Sequence, residues 1–308
     1  VIAIGCIFCF VNRLLNQKDY LLYKNPILNN IFISPSRFLT VIPFVILKIR
    51  SKKTIFSIKI ENNNTNSVEL LYFENKKKVN GKWKFILLSS IIYLFETLFF
   101  TLAYDKKANS WIWYILLASI FYYWIFKVKL YKHHWLSIIL IILIGLAIDL
   151  VEENYQNDLK NEPLRLVIKF LKEIFFAFYN VLAKYVMEKK FVSVYEFSFY
   201  MGLITFILFT LFAIFDYYFF EIYNYNEYFN SFDSNELLRI LGIIFTQLGI
   251  NLTTLFTSKN NSPCHIIIII VFGQLAYYLD YKGYNLLINA FLIIILFLSL
   301  IFNEIIEI

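Results

Sequence analysis

The chain has 308 residues, of which 59% are hydrophobic and only 17% charged. Soluble domains run at about 45–50% apolar and about 25% charged residues, and a water-soluble fold of this length could not hide such an excess, because even large domains keep a wide surface in water. The formal net charge of +7 would suit nucleic acid, but the excess gathers in one loop between apolar segments, where membrane topology explains it without a nucleic-acid partner.

An AT-rich coding bias also raises Phe, Ile, Tyr, Asn and Lys, so the reading rests on pattern. Residues 1–12 (VIAIGCIFCFVN) are apolar but shorter than the about 20 residues a membrane span needs. They read as the tail of a truncated first helix, with a signal-peptide core as the alternative. Cys6 and Cys9 have CxxC spacing, but no second pair completes a zinc set, so they and Cys264 read as small packing residues. A short second span follows at about 34–48.

The stretch 49–84 is the one long connection. It is rich in Asn and Lys (ENNNTNS, ENKKK) and lacks apolar periodicity, with a hairpin-like stretch expected around Ile55–Ile60 and Val68–Phe73. Apolar runs of spanning length then recur at about 85–104, 111–127, 135–151, 166–187, 197–220, 237–258, 263–280 and 286–303. This predicts an all-α membrane protein of about ten transmembrane helices. Helix is required because every backbone polar group must be satisfied inside lipid, and barrel strands would show short alternating segments. All five Trp fall at or near span ends, as an aromatic belt does. Ser262-Pro263 marks the start of the ninth span as an N-cap followed by Pro at the first helical position.

Lys and Arg set the orientation. With the N-terminus inside, more than half of the 29 basic residues lie in inside loops, and the loop at 48–84 decides the count. Both termini are therefore expected in the cytosol, although Arg13, Lys18 and Lys24 disagree. The sequon Asn63-Asn64-Thr65 should then carry no glycan, and a glycan found there would reverse the orientation. Which cellular membrane holds the chain is not legible.

Ten spans divide into 1–151 and 152–308, five in each half. An odd count makes the second half start from the opposite side, so the halves are expected to be inverted repeats around a midplane site. The sixth span and its exit, KEIFFAFYNVLAKYVMEKKFVSVYEFSFYMGLITF, place an Asn in a helix that ends near a basic turn, followed by Glu and a Gly-containing seventh span. Together with SPCHIIIIIVFGQ and LAYDKKANSWIWYILLAS, this stretch resembles the drug/metabolite transporter superfamily, in particular its EamA-like and nucleotide-sugar-transporter-like branches. The resemblance implies a ten-helix bundle with a central cavity. It also implies that the last helix of each half, about 135–151 and 286–303, is peripheral and often a homodimer contact. The chain departs from the family in its 8 Gly and 5 Pro, which leaves tight small-residue helix packing and the substrate class open.

Ionisable and polar residues inside spans are costly and normally face a cavity or a partner. Tyr93, Glu96, Thr97, Thr101 and Tyr104 share one face of the third span. Glu96 there is either a cavity carboxylate for a cation, a proton or a basic substrate group, or a structural acid bonded to a neighbouring helix. In the eighth span Gln247, Asn251, Thr254 and Ser258 form a stripe beside Thr246, Thr253 and Thr257. The stripe reads as a cavity wall or as a set of interhelical hydrogen bonds. The sixth span aligns Lys169, Glu173, Asn180 and Lys184. Lys169 and Glu173 can cancel as an i,i+4 pair, and Lys184 either snorkels to the headgroups or takes a substrate phosphate. The substrate-binding candidates are thus Tyr93, Glu96, Thr97, Asn180, Lys184, Gln247, Asn251 and Thr254. No catalytic residue, metal site or cofactor is expected. His133, His134 and His265 fit no metal spacing, and no P-loop, GxGxxG or GxSxG is present. The expected function is a transporter of a small polar metabolite, a nucleotide sugar or related solute among them, working by alternating access. The alternatives are a membrane-embedded transferase and a non-transporting scaffold of the same fold.

Overall fold

A computed structural model describes residues 1–16, 31, 34–50, 81–102, 112–155, 163–220, 234–280 and 286–303. The hairpin-like stretch, the sequon at Asn63 and Trp111 lie outside the described residues. Among the described residues the fold is all-helical, with ten helices and no strand.

Each apolar run becomes one helix. The first is α1 (Ile2–Asn16). A 3-10 turn, Ser34–Thr40, leads into α2 at 41–50. Then come α3 (Lys82–Leu102), α4 (Trp113–Phe126) and α5 (Lys132–Tyr155). The second half supplies α6 (Pro163–Lys189), α7 (Val194–Phe215, prolonged as a π turn over Asp216–Phe220) and α8 (Ser234–Asn260). A 3-10 turn, Pro263–His265, precedes α9 (Ile266–Asp280), and α10 (Leu286–Phe302) closes the set. Helices outrun the apolar runs where polar residues can continue the turn. In α6 the helix starts at Pro163, whose missing N–H costs nothing in the first turn, and ends at Lys189.

Caps come out differently at two starts. Ser193 caps α7 by accepting the Glu196 amide at 3.0 Å, half of a capping box. Ser262 occupies the cap position before Pro263, but its hydroxyl pairs with His265 Nδ1 at 2.9 Å instead of a backbone amide.

Packing joins helices that lie far apart in the chain. Helix α1 lies chiefly against α8 and α9, and α6 chiefly against α3 and α4. The contacts also fix directions. Phe85, Tyr93 and Phe99 of α3 meet Tyr185, Tyr179 and Phe175 of α6 in reversed order, so the two run antiparallel. Trp113, Phe121 and Phe126 of α4 meet Phe170, Phe178 and Tyr185 of α6 in the same order, so those two run parallel. Around α1, Gly5 faces Thr253 and Phe8 faces Gly249, an antiparallel register with α8. Gly5 also meets Ile269 while Cys9 meets Gly273, a parallel register with α9. Helix α5 packs chiefly on α10.

Two buried apolar clusters flank α6. One joins α4, α5, α9 and α10 through residues such as Tyr114, Ile141, Ile267 and Leu292, with Ala177 from α6. The other joins α3, α7 and α8 to α6 through Ile86, Leu182, Val186, Phe197 and Leu255.

Close approach through glycine does occur, at few places. A Cβ on Gly202 would stand 2.5 Å from Arg37 Cβ, and one on Gly249 would stand 2.6 Å from the Phe8 ring. The 8 glycines are few, but several stand at helix contacts.

Outward faces are apolar. On α7, Leu203, Ile207, Leu211 and Ile214 are exposed at helical spacing. On α5, Leu136, Ile139, Leu143 and Leu146 are exposed likewise. Two helical segments, Val194–Phe219 and Ile240–Asn260, are long and apolar enough to cross a membrane.

Candidate functional site

Charge collects where α2, α3, α6 and α7 meet. The 3-10 turn before α2 runs antiparallel to α7: Ser34 and Thr205 share a hydrogen bond at 3.3 Å, and Thr40 donates to the Tyr195 carbonyl at 3.3 Å. This register sets Ser34 level with the middle of α7, so Arg37 sits deep in the bundle and only 3% exposed. Its guanidinium carbon lies 4.8 Å from the centre of the Tyr93 ring. Among the described residues no carboxylate is within ion-pair distance of Arg37, and its buried Nε has no hydrogen-bond partner. A desolvated guanidinium costs on the order of 2.5–3.5 kcal/mol at the centre of a spanning helix, and cation–π contact returns about 0.5–2 kcal/mol of that.

Tyr93 is a hub. Its ring meets Tyr179 at 5.5 Å and Phe209 at 6.2 Å, which ties α3 to α6 and α7. One turn on, Glu96 is half-buried and lies in the field of Lys172 and Glu173 on α6 and of Arg37. Glu173 is fully buried and holds Lys172 at 2.7 Å. The ion pair of Glu173 that the structure shows is thus with its chain neighbour Lys172, where the sequence suggested Lys169. Lys169 is buried on the same helix. Thr97 is buried and donates to the Tyr93 carbonyl at 3.0 Å, so its hydroxyl is spent within its own helix.

Lys184 has a different place. It is 3% exposed, and its ammonium donates to the carbonyls of Ser258, Lys259 and Asn261 at 3.0, 3.1 and 2.8 Å. It also pairs with Glu188 at 2.7 Å. A cation at a helix C-terminus satisfies carbonyls that have no intrahelical partner and complements the helix dipole. Lys184 thus clamps the end of α8 and the α8–α9 turn rather than reaching outward. Tyr114 adds a bond to the Pro263 carbonyl at 2.8 Å, and Ser258 donates to the Asn180 carbonyl at 3.2 Å. Asn180 is fully buried. Its amide donates to the Phe176 carbonyl at 2.9 Å, while its Oδ1 has no partner.

The α8 stripe divides. Gln247 accepts from Asn12 of α1 at 3.5 Å, and Thr246 donates to the other Asn12 amide atom, Oδ1, at 2.8 Å. Thr254 donates to the Ile250 carbonyl at 2.7 Å. These three are the interhelical and local bonds that polar residues make in apolar surroundings. Asn251 is the exception: half-buried, with a buried Nδ2 that has no partner. It makes no hydrogen bond with Glu96.

The structure thus brings Tyr93, Glu96 and Thr97 together with Arg37, Lys172, Glu173 and Tyr179. It sets Asn180 and Lys184 in the α8–α9 clamp, Gln247 in a helix-to-helix bond with α1, and Thr254 in a bond within α8. Sequence reasoning missed Arg37, because it opens a short apolar run and reads as a headgroup charge. Ser34 and Thr40, which fasten its turn in SPSRFLT, were the available signal.

At the end of the bundle that carries the start of α3, Lys82 and Glu196 form an ion pair of 2.7 Å, each partly exposed. Trp83 stacks edge-on against Tyr200 there at 4.3 Å. Among the described residues no group of three or more His, Cys, Asp and Glu is close enough to hold a metal ion. No family model and no curated protein matches the chain.

Proposed function

We propose that this chain is a ten-span membrane transporter that moves a small polar metabolite by alternating access, built from inverted five-helix halves at 1–151 and 152–308. The observation that carries the function is the set of charged side chains, Arg37, Glu96, Lys172 and Glu173, gathered inside a bundle whose buried clusters and outward faces are mainly apolar. Such groups weaken an apolar bundle and are retained where a solute or ion passes.

Two further features support the membrane and the repeat. Contiguous exposed apolar faces such as that of α7 are rare on soluble monomers and suit lipid. Exchanging each helix with the one five places later turns α1 on α8 into α6 on α3, and α1 on α9 into α6 on α4, with the same antiparallel and parallel senses. An inverted repeat requires this correspondence, because the first helix of each half packs in the other half. In this reading α5 and α10 stand at the edge, the charged centre alternates in access, and the Lys82–Glu196 pair with the Lys184 clamp closes the cytosolic end.

The test is uptake of a metabolite panel by the purified protein in liposomes, across a pH series. Glu96→Gln should insert normally but lose most of the uptake or change its pH dependence, and Asn251→Ala should weaken apparent affinity with less effect on the pH profile. If Glu96→Gln matches the parent at every pH, Glu96 is a packing residue. If no panel solute enters faster than into empty liposomes, the scaffold or transferase reading replaces transport.

A further inference from the structure

Arg37 is a buried cation that the fold has built in without giving it an ion-pair partner among the described residues. Its position is fastened from several sides. Thr40 donates to the Arg37 carbonyl and to that of Tyr195, and Ser34 bonds Thr205. On α7 the missing side chain of Gly202 admits the Arg37 stem, since a Cβ there would stand 2.5 Å from Arg37 Cβ and 3.1 Å from the Ser34 carbonyl oxygen. A side chain that merely anchored the helix end to solvent would need none of this.

The surroundings of the head group state what it lacks. One face is covered by the Tyr93 ring at 4.8 Å. The Tyr93 side chain also hydrogen-bonds the guanidinium, while Nε is buried and unpartnered, and a guanidinium offers its five donors in one planar fork. Glu173 holds Lys172 at 2.7 Å, and Glu96 lies in the field of both Lys172 and Arg37 without forming an ion pair with Arg37 among the described residues. An anion can therefore meet Arg37 without displacing an ion-paired carboxylate. Its charge must be low, because Glu96 and Glu173 stand close by and repel a dianion. The neighbouring surface is aromatic, from Tyr93, Tyr179 and Phe209.

We propose that Arg37 anchors a small monocarboxylate at the junction of α2, α3, α6 and α7, with the carboxylate in the guanidinium fork and an apolar body beside Tyr93 and Tyr179. A planar carboxylate accepts two parallel charge-assisted bonds from this group, which a tetrahedral dianion in the same field does less well. The proposal names the solute class of the transport reading and rests on that reading for the movement of the solute, not for its binding.

The experiment measures thermal unfolding of the purified full chain in detergent with sodium benzoate or sodium acetate, against sodium chloride and inorganic phosphate at equal ionic strength. Benzoate should raise the midpoint in a saturable way, and more than acetate. Arg37→Lys should weaken the apparent affinity roughly tenfold, the worth of one lost charge-assisted bond, and Arg37→Gln should abolish the response. If Arg37→Gln does not fold, Arg37→Lys and the anion series still decide. The site is overturned if neither carboxylate stabilises the parent, if phosphate or chloride does as well as benzoate, or if either variant responds like the parent. Uptake of labelled benzoate into liposomes separates the two claims. Saturable binding without uptake leaves the site and removes transport, whereas uptake that survives Arg37→Gln leaves transport and removes the site.

Discussion

Helices α1 and α6 are each wedged between two helices distant in the chain, α1 between α8 and α9 and α6 between α3 and α4, yet they are packed by different chemistry. Around α1 the contacts are small and close: Gly5 against Thr253 and Ile269, Phe8 against Gly249, Cys9 against Gly273. One amide, Asn12, bonds α8 through Thr246 and Gln247. Around α6 the contacts are large aromatic rings from α3 and α4, interrupted by Lys172, Glu173, Asn180 and Lys184. The same topology therefore serves as a tight apolar joint on one side and a charged, partly unsatisfied one on the other. The difference teaches that the architecture does not need the charge. The polar groups of α6 and its neighbours must be explained by what they hold, whether a turn, as with Lys184, or a solute, as proposed for the Arg37 and Glu96 region.

The largest expected effect lies on the α6 side. Lys184→Met removes the donor to three carbonyls at the end of α8 and leaves them orphaned in a buried place, so the protein should lose about 3 kcal/mol of stability. Denaturation of the detergent-purified variant measures this, and a loss under about 1 kcal/mol would mean that the clamp is replaceable by water.

Glycine contacts come next and sharpen the comparison by sign. Gly202→Ala must push the Arg37 stem and the Ser34 carbonyl, and overpacking of this kind costs about 1–3 kcal/mol. Gly273→Ala meets only Cys9, at an ordinary 3.7 Å, so the better helix propensity of Ala should leave it neutral or up to about 1 kcal/mol more stable. Equal melting temperatures for the two variants would contradict the close approach of α7 to Arg37.

The smallest effect belongs to α1. Asn12→Leu loses two interhelical bonds worth about 0.6 kcal/mol each on average, and the added apolar surface offsets part of that. A loss as large as that of Lys184→Met would erase the contrast between the two wedges.

The helices were legible because continuous apolar runs leave little choice of structure, and each run proved to be one helix. Polar positions were legible as residues but not as roles. Thr254 and Thr97 sit on the predicted faces, yet their hydroxyls bond their own helices, a choice that spacing does not express. Lys184 was visible near a helix end, but its partners lie more than seventy residues away on the α8–α9 turn. Arg37 was hidden for a related reason. Only the antiparallel register of its turn on α7 reveals its depth, and a register between helices distant in the chain is not written in either one.

The central claim is that two interlocked halves move against each other around the charged centre. The most direct measurement exchanges the Lys82–Glu196 pair for cysteines in a background lacking Cys6, Cys9 and Cys264, and joins them with a short, reducible bifunctional thiol reagent. Exchange of a transported solute across liposomes is then followed before cross-linking, after it, and after reduction. The account predicts that exchange stops when the α3 and α7 ends are tied and returns when they are released. Unchanged exchange in fully cross-linked protein would contradict it.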